Sequence, residues 1–399
     1  MAKKSSAALA IPWITGELQS LFSSGLLREM KTARMLPGGF LQLNGKKLVN
    51  FSSNDYLGLS QDPRLKTAAR LAIEKYGSGA GASPLVSGRF PLVEKLEQAL
   101  AQWEGAGDAM VFPSGYGANL GVLSGLIGPR DAVFGDALNH ASLIDGCRLS
   151  RAFYRTYRHA DLNHLECLLA RQGGKARRNW IVTDSIFSMD GDIAPLKEIL
   201  EIAQRFQAMV VVDEAHATGV FGNRGCGILE SELAGKEWPA FLVKTGTFSK
   251  AFGAQGGFAC GEKELVQLAR NRARSYIFST GNCPASIGAA LAGLKIIRQA
   301  KNRKRLSLNF GFTRDELRQH GMNIGQTQTQ IIPVLLDNPG RAVEWSKRLA
   351  QEGYFAPAIR PPSVPEGESR IRLSLAVFHT KKMLKGVIQV LSDLQNSGC

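Results

Sequence analysis

The sequence contains no apolar run approaching the roughly 18 residues that read as a membrane span. It also lacks an internal repeat and any long low-complexity segment, which excludes a solenoid and a disordered chain. Cysteine is scarce: Cys147, Cys167, Cys226, Cys260, Cys283 and Cys399 are scattered, with no CxxC pair. That pattern argues against a zinc site and for free thiols in a reducing compartment, so the cytoplasm is the expected location. No GxxxxGK[ST] occurs, which removes a P-loop nucleotide binder.

What is present is ordinary globular composition, 44% hydrophobic and 21% charged over 399 residues, enough for two or three domains. The N-terminal MAKKSSAALAIPWITGELQS sets two lysines before a short apolar patch, as a signal peptide does. Pro12 interrupts the patch and Glu17 soon follows, so the segment reads as a mobile arm leading into a first helix. Formal charge is +15. The basic residues are spread out, densest at Arg148 to Arg158, RQGGKARR (171–178) and KNRKR (301–305), and none of these runs is interleaved with aromatics. A solvated basic surface is therefore expected, with no nucleic acid and no membrane as partner. An anionic substrate or an acidic carrier protein is a second use for the charge, and nucleic-acid binding is the non-enzyme alternative.

AMVFP (109–113), DAVFGD (131–136), RNWIVTDS (178–185), AMVVVDEA (208–215) and AFLVKTG (240–246) read as strands buried on both faces. ANLGVLSGLIG, LNHLECLLARQ and LKEILEIAQRF lie between them with helical spacing. This alternation predicts an α/β fold with a large, mostly parallel sheet. After about residue 285 the texture changes to one long basic helix (ASIGAALAGLKIIRQAKNRKRL) and short strands in QIIPVLLD, YFAPAIRPP and RIRLSLA. We divide the chain into 1–50, an arm and helix packing with the small domain; 51–285, a large α/β domain; and 286–399, a smaller α+β domain.

Ligands in such sheets sit at the carboxyl ends of the strands. There the sequence puts SGYGAN, ALNHAS, IFSMDGD, AHATGVFG and TFSKAFG. Asp213 ends a run of three valines, and a buried carboxylate needs a partner or takes up a proton. A protonated heteroaromatic nitrogen is one such partner; backbone amides are another. His216 is close enough in a turn to meet the same ligand. Ser114, Gly115 and Gly117 open a helix whose amides suit a phosphate. Tyr116 and His140 are candidates to cover an aromatic ring. Thr247 and Ser249 offer hydroxyls beside Lys250, and a nucleophilic lysine needs its pKa lowered by burial or nearby cations. An amine, a buried carboxylate, a stacking ring and phosphate donors make the set that pyridoxal 5′-phosphate requires.

The run VVVDEAHATGVFGNRGCG followed by Lys250 in TFSKAFGAQGG resembles the α-oxoamine synthases, fold-type I pyridoxal-phosphate enzymes. FSSNDYLGLS (51–60), GSGAGASPLVSG (77–88), NHAS (139–142) and FSMDGDIAPL (187–196) match that family's motifs in order, over residues 28 to 395. The resemblance implies condensation of an amino acid with an acyl thioester, loss of CO2 and release of coenzyme A. It implies Lys250 as the Schiff-base lysine and acid/base, Asp213 on the pyridinium nitrogen and His140 stacked on the ring. His216 would bond the 3-oxygen, with Ser188 nearby. Gly115, Tyr116 and Thr247 would hold the phosphate, joined by Thr280 of the neighbouring subunit in a homodimer whose site lies at the interface. Asn54 and Arg372 would bind the substrate carboxylate, and Arg28 would contact the acyl chain or its head group. AIRPPSVPEGESRIRLSL (358–375) is similar to the members that join L-alanine to a pimeloyl thioester, carried by coenzyme A or an acyl carrier protein. Ser363 stands there where threonine is usual, and keeps the hydroxyl. Asp184-Ser185 departs from the Glu-Gly usual before the FSMDG run. A glycine-using ligase of the same family is the alternative enzyme.

Overall fold

The computed structural model describes residues 12–397 except 25, 28, 29, 173 and 235. Arg28, Cys399 and the N-terminal patch before Pro12 lie outside the described residues. Seven strands build the central sheet: β1 (Asp108–Phe112), β2 (Ala132–Asp136), β3 (Phe153–Tyr157), β4 (Asn179–Asp184), β5 (Met209–Asp213), β6 (Leu242–Thr247) and β7 (Gly257–Gly261). Their spatial order is β1-β7-β6-β5-β4-β2-β3. Neighbours from β6 to β3 run parallel, while β7 is antiparallel to both β6 and β1.

The sheet is apolar on both faces because successive side chains alternate between two cores. Val133, Val182 and Val211 pack with Val122 and Leu143 from helices Gly115–Leu126 and Ala141–Leu149. Phe134, Ile181, Val210 and Val212 pack with Leu165 and Ile199 from helices Leu162–Gln172 and Leu196–Arg205. Residues 331–335, 358–359 and 370–374 form a three-stranded antiparallel sheet near the C-terminus. Strands Ala33–Leu36, Phe40–Leu43 and Lys46–Asn50 pair with one another and, through the last, with Tyr354–Phe355. The N–H of Ser374 donates to Phe51 O at 2.7 Å, tying the beginning of the chain to its end.

Two strands and a break are additions to the sequence reading. β3 is an edge strand, largely exposed and carrying an arginine, so it lacks the two-faced apolar signature. β7 is only GFACG, and Gly257 has no room for a side chain: a Cβ there would fall 2.4 Å from Ser114 O. The long basic helix is a correction. It is two helices, Pro284–Ile297 and Ala300–Gln319, parted at Gln299, whose backbone is extended. The physical cause is Arg303, buried, which folds its guanidinium back to donate to the Ile297 carbonyl and caps the first helix.

β6 carries a lysine in its middle. Lys244 is wholly buried, with Nζ 2.7 Å from Glu104 Oε1 and 3.0 Å from Glu214 Oε2. The second carboxylate belongs to the residue after Asp213 and also accepts the N–H groups of Ile228 and Leu229. Burial pushes the Glu104 carboxyl up to about 7, against the pull of Lys244. Removing the cation strands two buried carboxylates. Lys244→Met is expected to cost about 3–5 kcal/mol in urea unfolding, and a loss below about 1 kcal/mol would show the network carries no structural load.

Candidate active site

The carboxyl ends of β1, β2, β4, β5 and β6 lie along one edge of the sheet, so their loops converge. Asp213 ends β5, beside Asp184 of β4 and Thr245 of β6 in register. It is 6% exposed. Asn119 Nδ2 donates to its Oδ2 at 2.6 Å and the Ala215 N–H to its Oδ1 at 2.8 Å. Asn119 is itself fixed: Nδ2 also reaches Ser142 Oγ at 2.8 Å, and Oδ1 accepts from Thr245 Oγ1 at 2.6 Å.

His140 caps the helix Ala141–Leu149. Its Nδ1 faces the Ser142 hydroxyl at 2.7 Å and the Ser142 N–H at 3.3 Å. Since the backbone N–H only donates, Nδ1 is the acceptor and the ring is neutral. Burial lowers its pKa, helped by Lys250 and opposed by Asp213. The His140 N–H donates to Asp184 Oδ2 at 2.7 Å. Burial, then Asp213, raises Asp184 well above the usual carboxylate range. His216 is buried, its Nδ1 2.6 Å from the Tyr56 hydroxyl. Burial, Lys250 and Arg372 hold it well below the ordinary histidine value. Burial pushes the Tyr56 phenol up to about 12 although Arg372 acts the other way, and its hydroxyl donates to Asn54 Oδ1 at 3.2 Å.

Lys250 follows β6. Burial lowers its amine to about 8, offset by Asp213 and Asp184 and reinforced by Arg372. Thr247 Oγ1 meets Ser249 Oγ at 2.8 Å and donates to Gly256 O at 2.8 Å. Ser114 caps the facing helix by accepting from Gly117 N–H at 2.9 Å. A Cβ on Gly115 would sit 2.9 Å from Thr247 Cβ, so glycine lets helix and strand end meet. Arg372, on strand Arg370–Ser374, donates from Nε to Ser188 O at 2.6 Å and from Nη1 to Ser374 Oγ at 3.1 Å.

Lys250, Asp213, His140, His216 and Arg372 are thus brought within electrostatic reach of one another, with Gly115 and Thr247 touching beside them. Tyr116 is exposed, its ring edge-on to His140 at 6.5 Å and its hydroxyl donating to Asp145. His140, Ser188 and Ser363 line one cavity of about 560 Å³ with Leu138, Phe187 and Val364. Thr280 stands apart, exposed in a segment whose Gly281 N–H donates to Ala82 O at 2.9 Å. Sequence reasoning passed over Asn119 and Tyr56. Both lay inside quoted motifs, SGYGAN and FSSNDYLGLS, but an amide and a phenol carry no spacing signal of their own.

A pyridine cofactor with an aldehyde and a phosphate fits these residues. The ionic partner for a ring nitrogen is buried and held by two donors. A lowered amine stands beside it, and a capped helix N-terminus without side-chain bulk faces two hydroxyls.

The family described as aminotransferase class I and II matches residues 46–391. An 8-amino-7-oxononanoate synthase of Anaeromyxobacter dehalogenans is 43% identical over 394 residues, 98% of either chain. Among solved structures, the serine palmitoyltransferase of S. paucimobilis with a bound PLP–myriocin aldimine superposes with a TM-score of 0.90 at 30% identity, covering 97% of both chains. The 8-amino-7-oxononanoate synthase of Francisella tularensis gives 0.77 at 27% identity, covering 88% of this chain and 98% of its own. The chain belongs to the class I and II aminotransferase family, and within it to the α-oxoamine synthases; its fold is fold-type I and its cofactor is pyridoxal 5′-phosphate.

Only a neutral amine attacks an aldehyde. With Lys250 titrating at about 8 in the cofactor-free protein, the amine is mostly protonated below that pH and neutral above it. The rate of reloading with pyridoxal phosphate, followed by stopped-flow absorbance, is expected to rise about tenfold per pH unit below 8 and to level off above it. A rise that continues unchanged to pH 10 would contradict the lowered amine.

Proposed function

We propose that this α-oxoamine synthase joins L-alanine to a pimeloyl thioester, releasing CO2 and the free thiol carrier and forming 8-amino-7-oxononanoate, a biotin precursor. The observation that carries the reading is the wall of the 560 Å³ cavity: Pro362, Ser363, Val364 and Pro365, from the motif that favoured an alanine-using member, line it together with His140 and Ser188. Its size and its mixture of apolar side chains with a few polar groups suit an aliphatic acyl chain. Full-length relatives from several bacteria carry the same enzyme name.

Bound pyridoxal phosphate supplies an aldehyde and a cationic ring that withdraws electrons from the substrate's α-carbon. The chain's own residues do the rest. Asp213 keeps a proton on the ring nitrogen, because a buried carboxylate beside that nitrogen favours its cationic form. Neutral His140 stacks without adding positive charge that would repel that ring. His216, oriented by Tyr56, lies toward the 3-oxygen. The amides of Gly115 and Tyr116 and the Thr247 hydroxyl hold the phosphate. Arg372 and Asn54 hold the alanine carboxylate, the guanidinium being fixed in orientation by Ser188 O. Lys250 Nζ takes the α-proton, and its lowered pKa raises the share of free amine near neutral pH. It later returns a proton to the same carbon once CO2 has left.

A homodimer is part of this reading. Leu85, Val86 and Phe278 are 64%, 77% and 70% exposed, on two loops tied by the Gly281–Ala82 hydrogen bond. Apolar exposure of this kind on neighbouring loops is characteristic of an interface, and Thr280 sits in its midst to reach a partner's phosphate. The formal charge of +15 suits an anionic donor, whether coenzyme A or an acidic carrier protein.

Purified enzyme with L-alanine and pimeloyl-CoA is expected to release coenzyme A about tenfold or more faster than with glycine and acetyl-CoA. Lys250→Ala is expected to bring turnover below detection. Faster turnover with glycine would assign the chain to the ligase branch, and retained turnover in the lysine variant would exclude the proton-transfer role.

A further inference from the structure

Behind the cavity wall a single imidazole joins two loops. His159 follows β3, with Nδ1 2.9 Å from Asp136 Oδ1 and Nε2 2.8 Å from Asp192 Oδ2. Asp136 ends β2 and also accepts the N–H groups of Leu138 at 2.8 Å and Ala160 at 2.9 Å. Asp192 closes the turn that begins at Phe187, where Gly191 N–H donates to Phe187 O at 2.8 Å. Its second oxygen is buried and has no hydrogen-bond partner among the described residues. The His159 ring meets Phe187 edge-on, 4.4 Å between centroids at 88°. Leu138 and Phe187, one from each loop, both line the cavity.

An ionised carboxylate only accepts, so a ring whose two nitrogens each face one must donate from both and is therefore the imidazolium. Burial opposes that charge, but Asp136 and Asp192 outweigh it and raise the histidine to about 10. Among the described residues neither carboxylate pairs with a lysine or arginine; their ion-pair partner there is this ring.

Resting on the acyl-chain reading of the cavity, we propose that His159 is a positioning residue for the acyl thioester: a cationic brace that grips Asp136 and Asp192 at once and so fixes the spacing of the two loops whose Leu138 and Phe187 form the pocket wall. It touches neither substrate nor cofactor. A glutamine in its place donates to one carboxylate but turns its own carbonyl toward the other, and two facing acceptors push the loops apart. Asp192→Asn is milder, because its carbonyl oxygen still accepts from the ring.

The test is calorimetric titration of the holoenzyme with pimeloyl-CoA in the absence of any amino acid, so that no turnover occurs. L-Alanine α-proton exchange and the cofactor absorbance band are measured in parallel. His159→Gln is expected to weaken pimeloyl-CoA binding about tenfold or more, with alanine exchange within about twofold of the parent. Asp192→Asn is expected to shift affinity in the same direction by less. Unchanged affinity in His159→Gln overturns the brace, as does an equal loss of thioester binding and alanine exchange, which would mark a general structural role. Should His159→Gln fail to fold, unchanged affinity in Asp192→Asn overturns it. A parent enzyme that itself fails to bind pimeloyl-CoA sinks the substrate reading and the proposal resting on it, whereas normal parental binding with unaltered variants sinks the brace alone.

Discussion

The site depends on one negative charge kept at the end of a buried strand. Asp213 terminates β5, the middle strand of the sheet, and the strand order leaves it flanked by β4 and β6 with little access to water. A lone carboxylate in that position would be costly to ionise. Two donors, Asn119 Nδ2 and the Ala215 N–H, make the ionised form tenable. Asn119 also binds Ser142, and Ser142 orients His140. Asp213 and the His140 ring are therefore set by one continuous chain of hydrogen bonds, so displacing either end strains the other.

Asp184 is the neighbour that sharpens this arrangement. It lies opposite Asp213 in register, is buried, and has its carboxyl raised well above the usual range, first by burial and then by Asp213. Two carboxylates so placed cannot both be ionised cheaply. Asp213 has two hydrogen-bond donors, and Asp184 serves to hold the His140 backbone. Lys250 responds to the same field. Burial draws its amine down to about 8, and the two carboxylates keep it from falling further. Its reactivity is a balance struck by the sheet's edge as a whole.

How much of this was legible in the sequence follows from what kinds of signal periodicity carries. Strands β1, β2, β4, β5 and β6 are buried on both faces and stood out as apolar runs. β3 is an exposed edge bearing Arg155, and β7 owes its position to glycines that avoid Ser114. Neither has a run to read. Asp213 was visible because a charge after three valines is anomalous. Asn119 and Tyr56 were not, since their roles come from contacts made across the fold, to Asp213 and to His216. The break at Gln299 was hidden because its cause, the guanidinium of Arg303 reaching back to Ile297, exists only after the chain has turned.

The turn from Phe187 to Asp192 shows why the C-terminal sheet must meet the large sheet for the site to exist. Arg372 donates to Ser188 O, and Arg370 donates to Met189 O at 3.2 Å and pairs with Asp190. Thr329 Oγ1 donates to Gly191 O at 2.9 Å, and His159 holds Asp192 from the opposite side. A Cβ on Gly191 would strike Ile331 O at 2.0 Å, so the turn is pressed directly onto the C-terminal sheet. The same turn contributes Phe187 and Ser188 to the cavity wall. Arg372 is thus held by the backbone of the wall that faces the cavity, and its guanidinium cannot swing without moving Ser188. Arg372 and the cavity wall share one structural member, gripped at Ser188, Met189 and Gly191 from the C-terminal sheet and at Asp192 by His159.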